Sequence, residues 1–137
     1  MKLNPNDRIW APEDRPDYLC ILHGVRQPPV NRADFLDLQA QLLGRLWDQA
    51  NEGEKESANL QLQNNLQPEV LIGLPSSLFR DRRTCRALVE NPMLLGSPMH
   101  EWKLGFEEVA KLPPMSPQEA KEEAEGLSLE SFLARLL

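Results

Sequence analysis

The longest stretch with a single clear period is Asn31–Asn51, NRADFLDLQAQLLGRLWDQAN. Turned through about 100° per residue, Phe35, Leu38, Leu42, Leu43, Leu46 and Trp47 share one side of a helix. Asp34, Asp37, Gln41, Arg45 and Asp48 take the other, and Leu36 and Ala40 widen the apolar stripe. Gln39 lies inside the stripe and needs a hydrogen-bond partner if it is buried. Asn31 is placed to cap the first turn, Asp34 to complement its dipole, and Gly53 to end the helix.

Before this segment, Met1–Asp17 has prolines, no period and balanced charge, which reads as a surface arm anchored by Ile9 and Trp10. Tyr18–Val25, YLCILHGV, is a continuous apolar run closed by Gly24, Pro28 and Pro29, and is expected to be a buried strand, with a short helix as the other reading. Glu52–Gln67 is polar. Its first half reads as a loop and its second half as a weak helix held by Leu62 and Leu66.

Pro68–Leu74, PEVLIGL, is a second strand candidate. A helix capped by Ser76 or Ser77 then runs to Asn91-Pro92, with Leu78, Cys85, Leu88 and Val89 on its apolar side. Ser97-Pro98 opens another helix with the stripe Met99, Trp102, Phe106 and Val109. Ser116 and Glu119 form a capping box for an acidic helix that Gly126 stops. Ser128 caps a last helix in which Leu129, Phe132, Leu133, Leu136 and Leu137 follow the i, i+3, i+4, i+7, i+8 rule.

These elements predict a mainly α fold of five or six short helices, with YLCIL and EVLIG pairing as a small two-stranded β element. A compact α/β domain is the alternative, because strand followed by helix occurs twice in order. Two strands are few for a sheet, which favours the helical version. The expected organisation is an arm over 1–17, a globular domain over 18–115, and an acidic spacer with an amphipathic helix over 116–137.

Composition changes this picture little. Twelve prolines against one tyrosine and four phenylalanines imply short elements with firm breaks. A net charge of −6 disfavours non-specific attraction to nucleic acid or acidic membranes. No apolar run reaches the roughly eighteen residues of a membrane span, and the N-terminus lacks the apolar centre of a signal peptide. With two cysteines only, a soluble protein of the reducing cytoplasm is expected.

Candidate chemistry lies in three places. Arg80, Arg82, Arg83 and Arg86 crowd one helix, and Arg82, Arg83 and Arg86 share a side that suits anion or nucleic-acid contact. The competing reading is a solvated face paired with Asp81, Glu90 and other acids. Cys20, His23, Cys85 and His100 are all the metal-prone nitrogen and sulfur ligands of the chain. On a strand, however, Cys20 and His23 would face opposite ways, so no metal or other cofactor is expected. The same residues could be drawn as a Cys–His nucleophile, yet no third group or phosphate loop accompanies them, and an enzyme is disfavoured.

The third place is the C-terminal helix, too short to stand alone in water. It either caps its own core or docks in a partner's groove. The sequence therefore points to a protein-interaction module, an adaptor or assembly chaperone. Its partner, another protein or a second copy, would be contacted through Trp10, Leu129, Phe132, Leu133, Leu136 and Leu137. A nucleic-acid regulator using Arg82, Arg83 and Arg86 is the second reading, and a small Cys/His metal protein or enzyme the third.

Overall fold

The computed structural model describes residues 11–27, 29, 31–65, 82–90 and 109–136. The chain is mainly helical. A short 3-10 turn at Pro12–Asp14 leads into α1 (Pro16–His23), α2 (Arg32–Gln49), α3 (Glu52–Asn65), α4 (Arg82–Glu90), α5 (Pro117–Gly126) and α6 (Leu129–Leu136). Among the described residues there is no strand.

Helix α2 is the centre: α1, α4 and α6 pack directly on it, while α3 meets α6 and α5 meets α1. The Asn31 side chain accepts from the Asp34 N–H at 2.9 Å, as its capping position implies. Phe35, Leu36, Leu38, Ala40, Leu42, Leu43, Leu46 and Trp47 are all buried. Gln39 is buried with them and meets its predicted need, donating to the Glu13 carbonyl at 2.7 Å. The helix stops earlier than Gly53: Ala50 turns extended as its C-cap. Asn51 then caps α3 by accepting from Glu54 N–H at 2.8 Å. That cap starts a helix where a loop was expected. Ala58 and Leu62, four apart, are the part of α3 that enters the core.

The first strand is overturned: Tyr18–Val25 begins as helix α1, which also removes the parallel pairing that an α/β domain required. Pro16 occupies the first turn, Asp17 complements its dipole, and Gly24 ends it in the left-handed region at a φ of 67°. Gly24 N–H donates to Ile21 O at 3.3 Å and Val25 N–H to Cys20 O at 2.9 Å, the two bonds of a Schellman motif. Tyr18, Leu19 and Cys20 face the core. The second strand candidate, Pro68–Leu74, and most of the helix expected after Ser97 lie outside the described residues; Val109 at its end is buried.

Helix α4 lays Cys85, Leu88 and Val89 against α2, and Arg86 Nη1 bonds Asp37 Oδ1 at 2.7 Å across the junction. The C-terminal segment is not held apart as a spacer. Ser116 caps α5, accepting from Glu119 N–H at 3.2 Å, and α5 packs on α1 with Ala120 buried. Ser128 caps α6, accepting from Ser131 N–H at 3.1 Å. Helix α6 lies on α2 and α3, with Leu129, Phe132 and Leu133 in the common core.

A polar clamp fixes this return. Arg15 holds Asp17 through two parallel bonds, at 3.2 and 2.9 Å, and also donates to the Pro113 carbonyl. Asp17 in turn accepts from Met115 N–H. The start of α1 and the segment before α5 are thereby joined by charge-assisted bonds across 98 positions of sequence.

Candidate functional site

The corner where α1 ends beside α2 concentrates the polar chemistry. Arg45, on the solvent side of α2, reaches across to α1. Its Nη1 donates to the Leu22 carbonyl at 3.2 Å, one of the acceptors a helix end leaves unsatisfied. Its Nη2 lies 3.0 Å from His23 Nδ1, while His23 Nε2 lies 3.1 Å from the Leu38 carbonyl. A guanidinium only donates and a carbonyl only accepts. The ring is therefore the neutral tautomer with its proton on Nε2. Burial first and the Arg45 charge second pull the His23 pKa below its ordinary 6.5, against the Leu38 bond, which favours the charged ring.

This arrangement engages His23 on both sides of its ring. Both ring nitrogens are already engaged, so no lone pair is left for a metal ion or a substrate proton. Cys20, one turn earlier, donates from Sγ to the Gln27 carbonyl at 3.8 Å, and burial, then Asp17, push its thiol pKa up. A thiol so placed is a poor nucleophile at neutral pH. Cys85 is buried in α4, and His100 lies outside the described residues. No trio of His, Cys, Asp or Glu among the described residues is placed to hold a metal ion.

Beside this network runs a shallow, open groove of about 310 Å³. Val25, Pro29 and Leu38 give it apolar wall and floor, and Gln27, Gln41, Asp34 and Asp37 give it polar edges. Val25 is 40% exposed, and Ile21, one turn before it, is 36% exposed. Leu60 on α3, at 55%, is exposed singly. The groove is built by the Gly24 turn, which drops the chain from the end of α1 onto the flank of α2.

The residues singled out in the sequence are distributed differently. Leu129, Phe132 and Leu133 are at most 2% exposed, so this part of the apolar side of α6 is closed by α2 and α3 and is not open to a partner while the helix is docked. Leu136 falls in α6 without a described side chain, and Trp10 and Leu137 lie outside the described residues. The arginine side of α4 is not a uniform cationic surface. Arg83 is exposed, Arg86 is tied to Asp37 on α2, and Arg82 has no described side chain.

Four side chains that matter here were not marked by the sequence pattern. Arg45 reads as one more polar position on α2, and only the placement of α1 gives it a task. Arg15 and Asp17 sit in a segment without a period, and their partners are distant in sequence. Tyr18 is fully buried, and its hydroxyl meets no hydrogen-bond partner among the described residues. Burial first, then Glu13 and Glu123, push its pKa up to about 12 against the opposing Arg45.

No helix among the described residues is long and apolar enough to cross a membrane. Comparison of the chain with protein-family models, with curated proteins and with solved structures returns no match.

Proposed function

We propose that the chain is a non-enzymatic protein-interaction module, in the manner of an adaptor or assembly chaperone. It would bind a partner protein or a second copy through apolar surface at the C-terminal end of α1. The observation that carries this reading is the exposure of Val25 in the lining of an open groove with further apolar wall, with Ile21 also exposed four residues earlier in α1. Single exposed apolar side chains are ordinary, but one that lines a concavity beside other apolar wall is available as contact surface. The groups around them support binding rather than catalysis, since His23 and Cys20 are committed to bonds that hold the corner together. Cys20 and Cys85, buried and not joined in a disulfide, suit a reducing compartment such as the cytoplasm. Trp10, Leu136 and Leu137 keep their place as candidate partner contacts.

The test is biochemical. The purified full chain is immobilised and challenged with extract of its native host, and any retained protein is purified and mixed with it. A saturable binary complex is expected, weakened by about tenfold or more, roughly 1.4 kcal/mol, in a folded Ile21→Asp, Val25→Asp variant. A chain that retains no protein, and that light scattering shows to be monomeric at high concentration, ends the reading.

A further inference from the structure

We propose that the groove between the Gly24 turn and α2 receives a basic side chain of a partner protein, its cationic head on Asp34 and Asp37 and its aliphatic stem on Val25, Pro29 and Leu38. This rests on the interaction-module reading and names the chemistry of the partner.

Charge gives the first reason. Asp34 and Asp37 are three apart on α2 and therefore share a flank. Among the described residues no cation pairs with the Asp34 carboxylate, while Asp37 gives one oxygen, Oδ1, to Arg86. One of the two carboxylates is thus left without a described cation, and the chain as a whole carries −6. An anionic ligand, phosphate backbone included, meets net repulsion there.

Shape and polarity give the second. The lining is mixed, with apolar side chains beside carboxylates and amides. An enclosed metabolite site is mostly apolar and covers most of its ligand, which an open groove of about 310 Å³ does not do. Lysine and arginine are themselves mixed, an aliphatic stem carrying a charged head, and they lay the stem on apolar surface while the head seeks charge. Gln27 and Gln41 are exposed and half-buried, and each carries both donors and an acceptor for the backbone of an arriving segment. Val25, 40% exposed when unbound, is the apolar surface such a segment would cover.

The full chain, labelled with 15N, is titrated with acetyl-Leu-Arg-Leu-amide and with the same peptide carrying glutamate in place of arginine. Saturable shifts of the Val25, Gln27, Leu38 and Gln41 amides are expected with the first peptide. Binding should be at least about tenfold weaker with the second peptide, and several-fold weaker for Asp34→Asn, with Asp34→Glu recovering most of it. Absence of saturable shifts, or equal response to both peptides, overturns the proposal. The variants are checked for native circular dichroism before use. A partner captured from host extract that binds Asp34→Lys as well as it binds the parent overturns the groove and leaves the interaction-module reading standing. A chain that retains no partner but binds the arginine peptide in the groove overturns that broader reading instead.

Discussion

Helices α1 and α6 are each eight residues long, and neither could persist alone in water. They meet that constraint in opposite ways. Helix α6 has a regular apolar stripe, and its Leu129, Phe132 and Leu133 are buried against α2 and α3. Helix α1 has no clean stripe. It buries Tyr18, Leu19 and Cys20, while Ile21 and, just past its end, Val25 remain at the surface. The better amphipathic pattern marks the helix that docks on its own chain, and the irregular one carries the spare apolar surface. A regular stripe is matched by the core it was selected to cover, so regularity by itself is a sign of home packing.

The sharpest way to break this comparison is to shorten side chains in the two helices. Phe132→Ala is expected to lower unfolding stability by about 3–5 kcal/mol, and Leu133→Ala by about 2–5 kcal/mol, because a cavity opens in the core. Against a domain stability of about 5–15 kcal/mol, removal of residues 128–137 should abolish the cooperative transition in urea. Ile21→Ala, at the surface, should change it by less than about 0.5 kcal/mol. If Phe132→Ala and Ile21→Ala had equal effects in denaturant titrations, the contrast between the helices would fail.

The clamp that brings the C-terminal segment home comes next. Arg15→Ala removes two bonds to Asp17 and one to Pro113, and the Arg15 side chain is only 16% exposed. Hydrogen bonds to charged groups contribute about 1.5–3 kcal/mol each, partly offset here by solvent screening, so a loss of about 1–3 kcal/mol is expected. Hydrogen exchange should locate the effect at Met115 and α5 as well as at α1. An effect confined to α1 would show that the clamp does not hold the C-terminal segment.

How much of this was legible beforehand depended on whether the signal was local. The starts of α2, α5 and α6 follow from the caps Asn31, Ser116 and Ser128, and the buried sides of α2 and α6 from apolar spacing, all within a few positions; the end of α2 at Ala50, short of Gly53, does not. The identity of α1 was also written locally, in Pro16, Asp17 and Gly24, but the apolar run between them has no period that separates a buried helix from a buried strand. Helix α3 hid because its cap, Asn51, stood at the supposed end of another helix, and Gly53 looked like a terminator. The groove had no signature at all. It exists because the Gly24 turn lays Val25 beside Leu38, and residues far apart on different elements have no spacing to read.

The corner itself is expected to respond to acid. His23 is neutral in the fold and its pKa lies below the ordinary 6.5 that the unfolded chain would show. In the window between those two values the unfolded state binds more protons. Stability is therefore complete above about pH 6.5 and falls as pH drops through the folded-state pKa. Protonation turns the Nδ1 acceptor into a donor facing Arg45, which must withdraw and release the Leu22 carbonyl. Denaturant midpoints for the parent chain should decline through this window more than those of His23→Gln. Parallel profiles would show that the bond between His23 and Arg45 does not couple to folding.

The smallest effect concerns Tyr18, which is the only tyrosine of the chain and so titrates without interference from another phenol. Its buried hydroxyl has no described partner, so Tyr18→Phe removes an unsatisfied polar group while keeping the ring. The variant should be as stable as the parent or up to about 1 kcal/mol more stable, unlike nearly every other core change in α1. At high pH the sign follows from the raised pKa. The unfolded chain releases its phenol proton near 10 and the folded chain holds it to about 12, so the parent loses stability across that interval and Tyr18→Phe does not lose this part of it. The tyrosinate absorbance of the folded parent should accordingly rise only toward pH 12. A rise near 10 in a chain that is still folded would show that the ring reaches water, and that α1 is packed less tightly than α6 on its core side as well as at its rim.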